Sequence, residues 1–216
     1  MNKVQAVFYD LDNTLYPQIA DIEQRVDYCV TKYAPESCRV ALKSYWLQEW
    51  TDNGPKKTGI IDDIVNRFPL SGDTLEIIDT YRSVQTSLHI SPDIIDLLKW
   101  IDDRGILQFL ITNGHKSVQK QKITSLGIAD FFEDIRIAEG EYAKPSPAHF
   151  NDLIQKYDLE PVHCMSVGDW YTVDGISAKR SGIPFVYLRG GPITEIIPPQ
   201  IRMINRLPEL WDIINI

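Results

Sequence analysis

The run from Val4 to Tyr9 is apolar and β-prone, and it stops abruptly at Asp10-Leu11-Asp12-Asn13-Thr14. An unbroken apolar run, lacking the alternation of a one-sided strand, suits a strand covered on both faces, as in a parallel sheet. The same punctuation recurs downstream. Ile106–Ile111 ends at Thr112-Asn113-Gly114, Cys164–Val167 ends at Gly168-Asp169, and Ile135–Ala138 and Phe185–Leu188 are shorter runs of the same kind. Helical patterns lie between them. Ser91-Pro92-Asp93 opens one, with Ser91 as the expected N-cap and Gly105 as its stop. Others are expected at Ser117–Leu126, at Pro147–Tyr157 and near Val173–Ser181. Five strands with intervening helices predict an α/β fold around an open, parallel, Rossmann-like five-stranded sheet.

One segment breaks the alternation. Ile22, Val26, Val30 and Tyr33, then Ile61, Ile64, Val65 and Phe68, then Leu75, Ile78 and Tyr81, recur at helical spacing. The expected organisation is therefore an α/β core of residues 1–15 and 88–216, interrupted at 16–87 by an all-helical insertion. In open α/β sheets ligands bind beyond the carboxyl ends of the strands, so an insertion leaving strand one can act as a lid. Tyr45, Trp46 and Trp50 read as packing within the insertion; the alternative is that one of them, or Tyr16 at the hinge, stacks on a ligand.

Composition narrows the partners. With 44% hydrophobic and 24% charged residues the chain is globular rather than disordered. The 22 Lys and Arg against 30 Asp and Glu give a net charge of −8, no footprint for nucleic acid or an anionic membrane surface. The longest stretch free of charged residues, Gly105–His115, is far short of a membrane span. No secretory signal is visible, and Cys29, Cys38 and Cys164 have no CxxC spacing, so a cytoplasmic location is expected.

Strand ends meet on one edge of a parallel sheet, which lets distant polar groups converge. Those groups are Asp10, Asp12 and Thr14, then Thr112 and Asn113, then Lys144, and finally Asp169 and Asp174. Three converging carboxylates repel one another, and a divalent cation resolves the conflict; an all-oxygen set suits Mg2+ better than Zn2+. The helix opening after Gly114 offers N–H groups to an anion. Each motif alone has a plainer reading: Asp10 and Asp12 as turn formers, Lys144 as a solvated lysine, Asp174 as a partner for its helix dipole.

Together, Asp10-Leu11-Asp12-Asn13-Thr14, Thr112-Asn113, Lys144-Pro145 and Gly168-Asp169 with Asp174 resemble the four motifs of the haloacid dehalogenase (HAD) superfamily, in order. The helical insertion resembles the C1-type cap of its subfamily I. The resemblance implies a phosphatase in which Asp10 attacks phosphorus and forms an aspartyl-phosphate. Asp12 would be the general acid and then the general base, a role suited to a carboxyl whose pKa its acidic neighbours raise. Thr112 and Asn113 would bind phosphate oxygens, and Lys144 would neutralise charge between nucleophile and phosphate. Asp169 would hold Mg2+ with Asp10 and the main-chain carbonyl of Asp12, supported from behind by Asp174 and Thr14. Trp170 departs from the small polar residue commoner after the motif's aspartate.

The Asp-Asn-Thr-Leu-Tyr, Ile-Thr-Asn-Gly and Ala-Lys-Pro segments look most like the branch holding nucleoside 5′-monophosphate phosphatases, although sugar phosphatases share much of the pattern. The implied substrate is a small phosphorylated metabolite. A phosphomutase of the superfamily and a non-catalytic HAD-fold binding module are the alternatives, and a dehalogenase is disfavoured by Asp12.

Overall fold

The structure, a computed structural model, describes residues 4–54, 59–191 and 195–215. Its contacts divide the chain into two compact units, Met1–Pro17 with His89–Ile216, and Gln18–Leu88. No helix among the described residues is long and apolar enough to cross a membrane.

The chain opens with β1 (Ala6–Tyr9), fully buried, and passes into the helical unit of α1 (Ile19–Tyr33), α2 (Arg39–Asn53), α3 (Ile60–Arg67) and α4 (Thr74–Ser83). That unit packs Ile22, Val26, Val30, Leu42, Ile64 and Ile77 into a core of its own. Its aromatic residues serve this packing: Trp46 stacks on Tyr81 with ring centroids 5.9 Å apart, and Tyr45 lies 5.8 Å from Phe68. Asp73 caps α4, accepting from the N–H of Glu76 at 2.9 Å. Arg25 is wholly buried in the unit, paired with Asp21 at 2.9 Å and donating to the carbonyls of Tyr81 and Val84.

The other unit continues with α5 (Pro92–Asp102), β2 (Leu107–Asn113), α6 (Lys116–Leu126), β3 (Asp134–Ala138), α7 (Ala148–Lys156), β4 (Cys164–Gly168), α8 (Ile176–Arg180), β5 (Phe185–Leu188), β6 (Arg202–Ile204) and α9 (Leu210–Ile214). The strands form one sheet in the order β3-β2-β1-β4-β5-β6, every neighbouring pair parallel. Tyr9 sits in register with Leu110 on one side and Val167 on the other, so the ends of β1, β2 and β4 lie together at the sheet's topological switch point. Phe8 anchors the core between Phe109 and Phe150, at 4.9 and 5.3 Å.

Two details depart from the sequence reading. The sheet has six strands, not five: β6 is three residues long, with Arg202 and Met203 exposed and only Ile204 buried, so it carries no apolar run. Ser91 does stand at the N-cap of α5, but its hydroxyl binds the carboxylate of Asp93 instead of a backbone N–H.

Candidate active site

Asp10 is the first residue past β1, and its N–H donates to the Val167 carbonyl of β4 at 3.0 Å, which pins its backbone between two strands. Asp169 follows β4 directly. A single π-helical turn, Tyr171–Gly175, then brings the chain back on itself, and the Trp170 N–H donates to the Asp174 carboxylate at 3.2 Å. Gly168 has no side chain where that carboxylate lies; a Cβ there would overlap Asp174. The returning turn is held in turn by Glu195, which accepts from the N–H groups of Tyr171 and Thr172.

These turns bring one oxygen of each of Asp10, Asp169 and Asp174 within 4.8 Å of one another. Lys144 lies against them with its side chain 3% exposed. Its ammonium donates to Asp10 Oδ1, Asp174 Oδ1 and the Ile111 carbonyl, each at 2.7 Å, which uses all three of its protons. Burial works against the charge of Lys144, but Asp10 and Asp174 outweigh it and hold its pKa above the ordinary value. Burial pushes Asp10 up to about 7 despite the pull of Lys144, and Asp169 up to about 8, with Asp10 adding to the push. Carboxylates in this state carry an unmet demand for positive charge. Three carboxylate oxygens, two of them on buried residues and that of Asp10 half-buried, form a hard donor set, and they fit a Mg2+-type cation.

Asn113 does not turn its amide toward that centre. It accepts the Lys144 N–H at 2.8 Å and donates to the Lys144 carbonyl at 2.9 Å, a two-bond clamp on the backbone of the lysine, beside a cis Lys144–Pro145 peptide. Thr112 is buried at the end of β2, and its hydroxyl accepts from Gln119 Nε2 at 2.5 Å. Thr14 is buried, and its hydroxyl has no hydrogen-bond partner among the described residues. The opening of α6 is already in use in part: the Gly114 N–H donates to the Ala138 carbonyl, and the Lys116 N–H to the carboxylate of Glu139.

Asp12 lies outside the cluster of three carboxylate oxygens. Its carboxylate accepts from Lys122 Nζ at 2.8 and 3.0 Å, from the Tyr16 hydroxyl at 2.6 Å and from Gln119 Nε2 at 3.0 Å. This reverses the expectation that acidic neighbours raise its pKa. Burial does push it up, but Lys122 foremost, then Tyr16 and Gln119, outweigh burial and hold Asp12 below the ordinary carboxylate value. Tyr16, one candidate for stacking on a ligand, is buried with its hydroxyl on Asp12.

Gln119, Lys122 and Glu195 escape a reading by motif. For the first two a signal does exist. They share the buried face of α6 with Ile123 and Leu126, and two polar residues on an apolar helix face need partners. A separate cavity of about 800 Å3, bounded by Asn13–Pro17, His89–Ile94, Leu188–Gly190 and Asn205–Pro208, includes none of the acidic trio in its lining.

Comparison with known proteins places the chain in a family. A family model for haloacid dehalogenase-like hydrolases matches residues 4–182. The chain is 24% identical over 230 residues to a glyceraldehyde 3-phosphate phosphatase of Pyrococcus furiosus, covering 100% of this chain and 95% of that protein. It is 23% identical over 217 residues to phosphoglycolate phosphatase 1 of Pseudomonas aeruginosa, covering 94% of this chain and 77% of that protein. In fold it is similar to the magnesium-bound HAD hydrolase YfnB of Bacillus subtilis, with a TM-score of 0.76 at 18% identity over 99% of this chain and 100% of that one. With the four motifs at the ends of β1, β2 and β4 and before α7, and a family match across most of its length, the chain belongs to the haloacid dehalogenase-like hydrolases.

Proposed function

We propose that this hydrolase is a Mg2+-dependent phosphatase that cleaves a small phosphorylated metabolite through an aspartyl-phosphate on Asp10. The observation that carries the reading is the pairing of Asp10 with the buried Lys144 at 2.7 Å inside a trio of clustered carboxylates. Lys144 occupies the place where phosphate charge would meet the nucleophile, and its own protonation is secured by Asp10 and Asp174. Asp10 attacks phosphorus as the leaving oxygen departs; water then attacks the same phosphorus and restores the carboxylate. Asp12 handles the protons of both halves, and Thr112 offers its hydroxyl to phosphate. Asp10, Asp169 and Asp174 are the carboxylates that would hold the metal, with the Asp12 carbonyl as the further ligand that the motif implies. When bound, Mg2+ supplies charge stabilisation for the transferring phosphoryl group.

Relatives named as phosphatases of glyceraldehyde 3-phosphate and phosphoglycolate support a small phosphate ester as substrate. The motif wording keeps nucleoside monophosphates beside sugar phosphates as the two classes to compare. In this reading the helical unit Gln18–Leu88 serves as the family's cap and selects the leaving group. The reading places the enzyme in the cytoplasm, where its three free cysteines suit a reducing environment.

The test is phosphate release from short-chain acid phosphates, triose and hexose phosphates and nucleoside monophosphates, with Mg2+ and with chelator. We expect turnover of a few related esters that chelator abolishes and Asp10→Asn lowers by at least about 10³-fold, in line with loss of a covalent nucleophile. Release that survives Asp10→Asn would overturn the assignment.

A further inference from the structure

Building on that phosphatase reading, we propose that Lys122 and Gln119 are positioning residues that hold Asp12 in place for the water-attack half of the reaction. Lys122 is 3% exposed and Gln119 1% exposed, on the same face of α6 as Ile123 and Leu126. Burying a lysine there costs free energy that an apolar side chain of the same length would not, so packing does not account for it. Its ammonium instead spans both oxygens of Asp12, at 2.8 and 3.0 Å. Tyr16 donates to one of those oxygens at 2.6 Å and Gln119 to the other at 3.0 Å. With donors on both oxygens the carboxylate cannot swing about its side-chain torsions without breaking several charge-assisted bonds.

Gln119 adds a second link. Its Nε2 also reaches the Thr112 hydroxyl at 2.5 Å, so the group proposed to bind phosphate and the group proposed to activate water are tied through one amide. In the second half-reaction the water oxygen bonds to phosphorus and its proton passes to Asp12. The phosphorus–oxygen bond to Asp10 breaks, and its electrons return to the Asp10 carboxylate, releasing inorganic phosphate. An Asp12 displaced by even an ångström would slow that step, and with a leaving group that needs no proton it would leave the attack of Asp10 untouched.

p-Nitrophenyl phosphate separates the two halves, because its leaving group departs without a proton. With this substrate kcat/KM reports the attack of Asp10, and kcat includes the attack of water. For Lys122→Met we expect kcat and KM to fall together by about ten-fold or more, with kcat/KM within about two-fold of wild type and a burst of p-nitrophenol approaching one per site. Lys122→Arg should recover at least about half of kcat, since it restores a cation over the same carboxylate. A loss of kcat/KM equal to the loss of kcat, without a burst, would show a merely structural lysine and overturn the proposal. If Lys122→Met does not fold, Lys122→Gln, which removes the cation and keeps a polar side chain at the same position, is read by the same criteria. Absence of wild-type turnover, or turnover surviving Asp10→Asn, would instead strike at the phosphatase reading itself.

Discussion

At Gly168 a methyl group has nowhere to go, since the Asp174 carboxylate already fills the space a Cβ would need. The constraint is steric, and it falls on a residue that shares Lys144 with Asp10, each carboxylate lying 2.7 Å from the ammonium. Gly168→Ala must push Asp174 outward and loosen the trio. We expect the variant to fold but to bind Mg2+ about ten-fold or more weakly, as when a metal ligand loses its support. A thermal-shift titration with Mg2+ measures this directly, and an unchanged midpoint would separate Asp174 from metal binding. Asn113 makes a related point. Its amide closes both hydrogen bonds on the Lys144 backbone, so any effect of Asn113 on Asp10 runs through the lysine it seats.

Among the elements, α1 carries the least tolerant interaction of the helical unit. Arg25 is fully buried, bound to Asp21 one turn earlier and to the carbonyls of Tyr81 in the last turn of α4 and Val84 just beyond it, while Thr86 donates to the same aspartate at 2.8 Å. Removing the guanidinium takes the cation from a buried carboxylate and a donor from each of two carbonyls. Arg25→Met should therefore cost about 3–5 kcal/mol, where an exposed pair would cost under about 1 kcal/mol. Chemical denaturation monitored by tryptophan fluorescence would show it. The element scale is also where reading from sequence succeeds and fails. β1, β2, β4 and β5 were legible because parallel strands covered on both faces are predominantly apolar, and the ends of β1, β2 and β4 delivered Asp10, Thr112 and Asp169 to one edge. β6 was not, because an edge strand with one buried residue leaves no periodic trace. The partnership of Asn113 with Lys144 spans 31 residues and that of Asp12 with Lys122 spans 110, and local periodicity cannot register pairings made by the fold.

For the molecule as a whole, the acidic trio links stability, metal and pH. Burial raises Asp10 to about 7 and Asp169 to about 8, against about 4 in an unfolded chain. Between those values the unfolded state ionises while the folded state retains its protons, so the folded state binds more protons and stability must fall as pH rises. The loss begins near pH 4 and is complete once pH has passed through 7 to 8. Asp12 has the opposite sign: held below its ordinary value, it stabilises the fold above the unfolded pKa, and that support is lost only as pH falls through its lowered pKa, outside the same window. A cation on the trio competes with the retained protons and expels them. We therefore expect the apparent Mg2+ affinity to rise from pH 6 to pH 8 and then level off, with proton release on binding detectable by calorimetry in buffers of different ionisation enthalpy. Melting scans should show the metal-free protein losing stability over this range and Mg2+ restoring more of it at pH 8 than at pH 6. In Asp169→Asn one of the two retained protons is gone, so the slope should flatten. A Mg2+ stabilisation independent of pH would mean that the ion binds elsewhere than on these carboxylates.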